Sequence, residues 1–280
     1  MIIWIASYPK SGNTWVRSFV IAYYFCENGI FDVNKLSLIQ DYPNKQFFKE
    51  TVKKGEIHKH WDSSQKNICD EKKVKFLKTH NSLITAFGND FTKPEYSLGV
   101  IHVIRDPRNI ITSLKNHYDF ETYERALKFM QDENKILEDY PHLKNYAKTN
   151  IINSWRINYQ SWMSNKNFRR LTIRYEDMIK DPHQTFKKLV VFINTLMRFK
   201  DKIDPKKFSN AIETTNFKSL QDIENQGKFS ENVYSLKDNK KIKFFYQGPE
   251  NDWKKNLDEN MIKKMNEYYQ NDLKFFQYEK

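Results

Sequence analysis

The chain has 280 residues, 39% hydrophobic and 15% aromatic, which is enough apolar material for one large domain or two small ones. Seven Gly and eight Pro exclude a fibrous or low-complexity chain, and two cysteines, Cys26 and Cys69, exclude a disulfide framework or a cysteine-based zinc site and fit a reducing compartment. A formal net charge of +12 is compatible with an anionic partner, but Lys is spread along the whole chain, often beside Asn, so compositional bias accounts for the larger share of it.

The first apolar run has no basic leader and breaks at Tyr8-Pro9-Lys10. No stretch approaches the ~20 apolar residues a bilayer span needs, so a soluble, cytoplasmic protein without a transmembrane segment is expected. Residues 2–7 (IIWIAS) are apolar on both faces, as in a buried parallel strand. Residues 14–28 place Trp15, Phe19, Ala22, Tyr23 and Cys26 near one helical face, with Gly29 as the stop. Strands are expected at 74–78 (VKFLK) and 98–104 (LGVIHVI). The second ends at Arg105-Asp106-Pro107-Arg108, where Pro107 suits the first turn of a helix over 107–118. Helical patterns follow at 122–137 and 143–164, then a strand at 170–174 (RLTIR) and helices at 183–196, 205–214 and 258–276. Residues 225–245 read as a long loop. Strands alternating with helices predict an α/β fold, a central parallel sheet flanked by helices on both faces, in a single domain over 1–280.

Four stretches at strand ends carry chemistry. The first, Tyr8-Pro9-Lys10-Ser11-Gly12-Asn13-Thr14-Trp15, joins the first strand to the first helix. A helix N-terminus offers free N–H groups and a positive dipole end, Gly12 admits close approach, Lys10 adds a point charge, and Ser11 and Thr14 add hydroxyls. That makes a phosphate cradle; the alternative is a tight turn with incidental polar residues. It is not a Walker A loop, because Lys10 precedes Gly12 and no Gly stands before it. The second is Lys78-Thr79-His80, where His80 could take a proton from an acceptor hydroxyl or could be a surface histidine. In the third, residues 103–113, Arg105 and Ser113 could converge on a second phosphate, or could be a surface arginine beside a helix cap. The fourth, Arg174-Tyr175-Glu176-Asp177-Met178, offers Tyr175 to a nucleotide or simply starts a helix capped by Asp177.

Together these stretches resemble the cytosolic-type sulfotransferases, which use 3′-phosphoadenosine 5′-phosphosulfate (PAPS). Residues 8–15 resemble the family's 5′-phosphosulfate loop, residues 105–113 its 3′-phosphate motif, Lys78-Thr79-His80 its Lys-Thr-His and residues 175–178 its Tyr-Glu-Asp-Met. Thr215-Asn216-Phe217 is similar to the segment whose Thr and Phe hold the adenine, and Gly248 to Lys254 (GPENDWK) to its C-terminal Gly-x-x-x-Asp-Trp-Lys. The order holds from residue 2 to about residue 254 and implies a P-loop-like three-layer fold. It implies His80 as catalytic base, with Lys10 and Lys78 stabilising charge during transfer. It implies PAPS bound by Lys10, Ser11, Gly12, Asn13, Thr14, Trp15, Arg105, Ser113, Tyr175, Thr215, Phe217 and Gly248, leaving as 3′,5′-adenosine bisphosphate (PAP) with no metal. The acceptor would be a small molecule, sugar or lipid. Its pocket would be drawn from residues 41–62, 81–97 and 225–245, where Tyr42, Phe47, Phe48, His58, His60 and Trp61 could stack on it or be core.

Asn13 stands where the family has a hydroxyl residue, and Tyr246-Gln247 replace an Arg-Lys pair before Gly248. The missing N-terminal segment resembles a bacterial member more than the animal phenol and steroid enzymes. Competing readings are a magnesium-dependent P-loop phosphotransferase, disfavoured by the order of the loop, and a basic nucleic-acid-binding protein, disfavoured by dispersed charge. A sulfotransferase fold that binds nucleotide without turnover is disfavoured by intact Lys10, Lys78 and His80.

Overall fold

The apolar run Ile2–Ser7 forms β1, the middle strand of a five-stranded sheet in the computed structural model, which describes residues 1–49, 51–138, 146–231, 233–235 and 240–278. Its neighbours are β3 (Lys75–Thr79) and β6 (Ser97–Ile104), with β2 (Gln40–Asp41) outside β3 and β9 (Arg169–Arg174) outside β6; every pairing is parallel. All six residues of β1 are buried. Ile3 and Ile5 pack on one side with Trp15, Phe19 and Phe186, while Ile2, Trp4 and Ala6 pack on the other with Tyr42, Trp61, Phe91 and Trp162. A strand covered on both faces needs no polar alternation, which is why it is legible as a continuous apolar run. The expected central parallel sheet flanked by helices is the one observed.

Three short antiparallel pairs decorate the sheet: β4 (Thr85–Ala86) with β5 (Asn89–Asp90), β7 (Ile136–Glu138) with β8 (Thr149–Ile151), and β10 (Val233–Tyr234) with β11 (Lys241–Ile242). The helices are α1 (Asn13–Val20), α2 (Trp61–Asp70), α3 (Pro107–His117), α4 (Tyr123–Gln131), α5 (Trp155–Ser164), α6 (Tyr175–Lys180), α7 (Pro182–Met197), α8 (Pro205–Thr214), α9 (Phe217–Asn225), α10 (Trp253–Asn256), α11 (Glu259–Tyr268) and α12 (Gln270–Phe275). Asp106, Asp181 and Asp204 cap α3, α7 and α8, each with a proline in the first turn; the start expected at Pro107 is the start observed, and α7 begins one residue before the expected 183.

Several expectations differ from the structure. The helix expected over 122–137 stops at Gln131, because the Asp132 carboxylate accepts the Asn134 N–H and turns the chain into β7. The pattern at 143–164 is not one helix. Residues 143–145 lie outside the described residues; beyond them come β8, then Asn153 in the left-handed region at φ 55°, and α5 begins only where the Ser154 hydroxyl accepts the Ile157 N–H. The helix after Asn13 continues through a π turn (Ile21–Phe25), and the C-terminal helix expected over 258–276 is broken at Tyr269. Short helices α2 and α9 were not foreseen. The loop at 225–245 includes the end of α9 and the β10–β11 pair, with residues 232 and 236–239 outside the described residues. Among the described residues no helix is long and apolar enough to cross a membrane.

Candidate active site

Parallel register sets the strand ends level. Ile5 pairs with Lys78, Ser7 with Val103 and Ile104 with Arg174, so Tyr8, His80, Arg105 and Tyr175 leave the sheet along one rim. The C-terminal rim of a parallel sheet is the usual ligand crevice of such folds.

The loop from Tyr8 to Gly12 turns through two left-handed residues, Lys10 at φ 66° and Gly12 at φ 100°. A Cβ on Gly12 would stand 2.6 Å from the Tyr175 ring, so only glycine lets that ring lie against the loop. The Arg105 guanidinium sits 4.0 Å above the same ring. From there it donates to the Lys10 carbonyl at 3.1 Å, to the Ser113 hydroxyl at 3.3 Å and to the Gly248 carbonyl at 3.4 Å. The stretches at 8–15, 105–113 and 248–254 therefore meet at one side chain. Gly248 is itself required: a Cβ there would stand 2.2 Å from the ring of Phe217.

Other residues sit differently from a simple cradle. The Asn13 amide donates inward, to the Ile5 carbonyl at 3.0 Å and the Ser7 hydroxyl at 3.1 Å, so its donors brace the loop. The Trp15 ring is buried edge-on to Tyr175 at 5.8 Å. The Thr215 hydroxyl bonds back to the Ala211 carbonyl at 2.6 Å. Thr14 is buried at the start of α1. Tyr42 and Trp61, two of the residues considered for an acceptor pocket, are fully buried core.

Cations gather at the loop, with Arg105 and Lys78 both in the field of Lys10. Burial, followed by the nearby charges of Arg105 and Lys78, pushes the Lys10 ammonium down to about 7. The Ser11 hydroxyl and the Arg105 Nε are buried with no hydrogen-bond partner. An incoming phosphate or sulfate oxygen would satisfy both and offset the cations, so these residues fit a PAPS-type nucleotide. Among the described residues no group of three or more His, Cys, Asp or Glu gathers as metal ligands.

His80 stands at the tip of β3 with Nδ1 2.7 Å from the Ser7 carbonyl. A carbonyl has no proton to give, so Nδ1 carries the hydrogen and Nε2 keeps its lone pair. Burial and the neighbouring Lys78 push this imidazole down to about 3. Asn158, buried on α5, donates to the His80 carbonyl at 3.0 Å and fixes the turn after β3. Lys78 faces Asp41 at 3.6 Å. Sequence reasoning missed Arg17, Glu231 and His117. Arg17 pairs with Glu231 at 2.7 Å; burial works against that carboxylate, but Arg17 and then Lys78 hold it at about 2. His117 touches Lys10 at 3.3 Å, and its only sequence signal is its place one turn beyond Ser113 on the same helical face.

Residues 2–277 match the family model described as sulfotransferase domain. Sulfotransferase 1E1 of Rattus norvegicus is 24% identical, over 96% of this chain and 82% of that protein. Flavonol 3-sulfotransferase of Flaveria bidentis is 24% identical, over 94% of this chain and 78% of its own length. Among solved structures, retinol dehydratase in complex with androsterone and inactive cofactor PAP superposes with a TM-score of 0.61 at 16% identity, covering 98% of this chain and 80% of that one. Mouse sulfotransferase SULT7A1 complexed with PAP gives 0.58 at 17% identity, covering 97% and 84%. These likenesses share the fold, and with a family match spanning nearly all of its residues the chain belongs to the sulfotransferase domain family.

Proposed function

We propose that this protein transfers a sulfuryl group from PAPS to a hydroxyl or amine of a small-molecule, sugar or lipid acceptor, leaving PAP. The observation that carries it is the shared rim: Lys10 lies within the field of both Arg105 and Lys78, and Lys78 lies beside His80, whose Nδ1 is already committed to Ser7. The presence of PAP in the two solved structures supports the choice of donor. Residues 1–280 are taken as one domain, a reading supported by the match over 2–277. A cytoplasmic location fits its two free cysteines.

PAPS supplies a sulfuryl group on a phosphate leaving group. Ser11 and the N–H groups at the start of α1 would hold the 5′-phosphate, and Arg105 with Ser113 the 3′-phosphate. Lys10 would hold a proton for the bridging oxygen as the sulfur–oxygen bond there breaks, and Lys78 would stabilise charge on the transferring group. His80 Nε2 would take the proton of the acceptor as the new bond from its oxygen or nitrogen to sulfur forms. Pushed far below its ordinary value, His80 is neutral across the physiological range and has a free lone pair. The bound anions would offset the field of Lys78 and raise its basicity.

The acceptor would approach past His80, where Lys78 lies 3.6 Å from Asp41 and in the field of Glu231. The relatives' names, which include flavonol and luciferin sulfotransferases, support a small hydroxylated acceptor. Incubation of the protein with PAPS and a panel of alcohols, phenols, sugars and amines, with PAP followed by chromatography, tests the reading. PAP release that depends on the acceptor is expected; ATP–magnesium turnover in its place overturns it. His80→Ala should lower kcat by ~10²–10⁴ and leave PAP affinity nearly intact; an active His80→Ala protein would remove His80 from the role of base.

A further inference from the structure

Lys10 leaves the loop from a left-handed backbone that a non-glycine residue seldom adopts, and this aims its side chain across to α3. There its Nζ lies 3.3 Å from His117 Nδ1 and 4.3 Å from the centre of the Phe244 ring. His117 and Phe244 also meet edge to face, with centroids 5.9 Å apart at 81°. The three groups form a closed triangle with the ammonium at one corner. Its frame is rigid on both sides. His117 sits on α3, one turn beyond Ser113, and the N–H groups of Phe244 and Phe245 both donate to the buried Glu224 carboxylate, at 2.6 and 2.9 Å.

We propose that His117 is a positioning residue for Lys10, forming with Phe244 the seat that directs the Lys10 ammonium at the leaving group. The proposal rests on the sulfuryl-transfer reading above. An ammonium has three hydrogens and no lone pair. His117 Nδ1 therefore accepts, its proton sits on Nε2, and the ring is neutral. One Lys10 hydrogen is held by His117, the Phe244 face takes part of the charge, and two hydrogens remain for the bridging oxygen. A flexible four-carbon stem would otherwise spread that charge over several rotamers, and charge stabilisation is worth most when it is already in place. His117 itself touches no reacting atom in this scheme.

The test compares His117→Ala with His117→Asn, because the asparagine carbonyl oxygen can stand close to where Nδ1 stood. His117→Ala should lose roughly 10- to 100-fold in kcat with the KM for PAPS little changed, and His117→Asn should recover most of that loss. A second measurement is independent of turnover: the rate at which a small acylating reagent labels Lys10, read by peptide mass spectrometry. Labelling should be faster in His117→Ala and return to the wild-type rate in His117→Asn. Equal losses in both variants, or no change in either, overturn the proposal. If the wild-type protein neither binds PAP nor turns over PAPS, the functional reading falls, and the labelling pattern still shows whether His117 seats Lys10.

Discussion

Arg105 follows the last residue of β6 and Arg108 stands three residues on, in the first turn of α3; they are equally buried, 5% exposed each. Arg108 is neutralised within the chain. Its guanidinium clamps the Asp106 carboxylate at 2.7 to 3.2 Å, donates to the Tyr278 carbonyl at 2.7 Å and to Asn266 at 3.0 Å, and lies 4.0 Å over Trp253. Arg105 finds two carbonyls, one hydroxyl and an aromatic face, and its Nε finds nothing. A buried cation costs stability unless a counter-charge meets it. Arg108 meets its own on folding; Arg105 has the buried Glu176 only within its field, and under the proposed function its counter-charge is a phosphate of the nucleotide. That difference separates an arginine that holds the fold together from one proposed to serve the site.

Truncation should affect the two arginines in opposite ways. Arg108→Ala leaves Asp106 buried without its partner and should cost ~3–5 kcal/mol of stability in denaturant melts, the largest effect expected here. Arg105→Ala should weaken PAP binding by roughly 10- to 100-fold in calorimetry, since a charged hydrogen bond contributes ~1.5–3 kcal/mol, and should leave the melt nearly unchanged. If the two variants trade places, the assignment is wrong.

Lys10 sharpens the same contrast through pH. Its folded-state value is about 7 against an ordinary 10.5, so the unfolded chain holds the proton more tightly. The group therefore costs stability fully below pH 7, and the cost is relieved as pH rises toward 10.5. A bound anion favours the charged form. PAP affinity should accordingly fall between pH 7 and 9, by up to about tenfold per unit, with proton uptake on binding. Lys10→Met should flatten that dependence and leave the free protein no less stable. A flat wild-type profile would show that Lys10 does not titrate there. The smallest expected effect is at Tyr246, half-exposed two residues before Gly248. Tyr246→Arg should strengthen PAP binding roughly two- to fivefold, the scale of a surface charge pair.

What could be read from the sequence was whatever is settled locally. The doubly apolar Ile2–Ser7 strand, the Asp106-Pro107 start of α3 and the strand-end positions of Lys10, His80, Arg105 and Tyr175 depend on period, caps and alternation, and all lie where expected. What was missed depends on partners far along the chain. The donors of Asn13 are taken by β1, the turn carrying His80 is held by Asn158 from 78 residues away, and Glu231 reaches Arg17 across 214. The aromatic residues at 42 and 61 looked equally suited to a pocket and to core, and only packing around Trp4 and Phe91 decides for core. The overlong helix at 122–137 failed because a carboxylate turn outcompeted helix propagation at Asp132.

The proposed function requires the rim to take a nucleotide carrying both a 5′- and a 3′-phosphate. Thermal melts of the purified protein with PAP, ADP and ATP–magnesium in parallel test it most directly. At ~100 times its dissociation constant, a ligand adds ~2.7 kcal/mol of stability. A shift with PAP alone is the predicted result. A larger shift with ATP–magnesium would contradict the account and return the site to phosphoryl transfer.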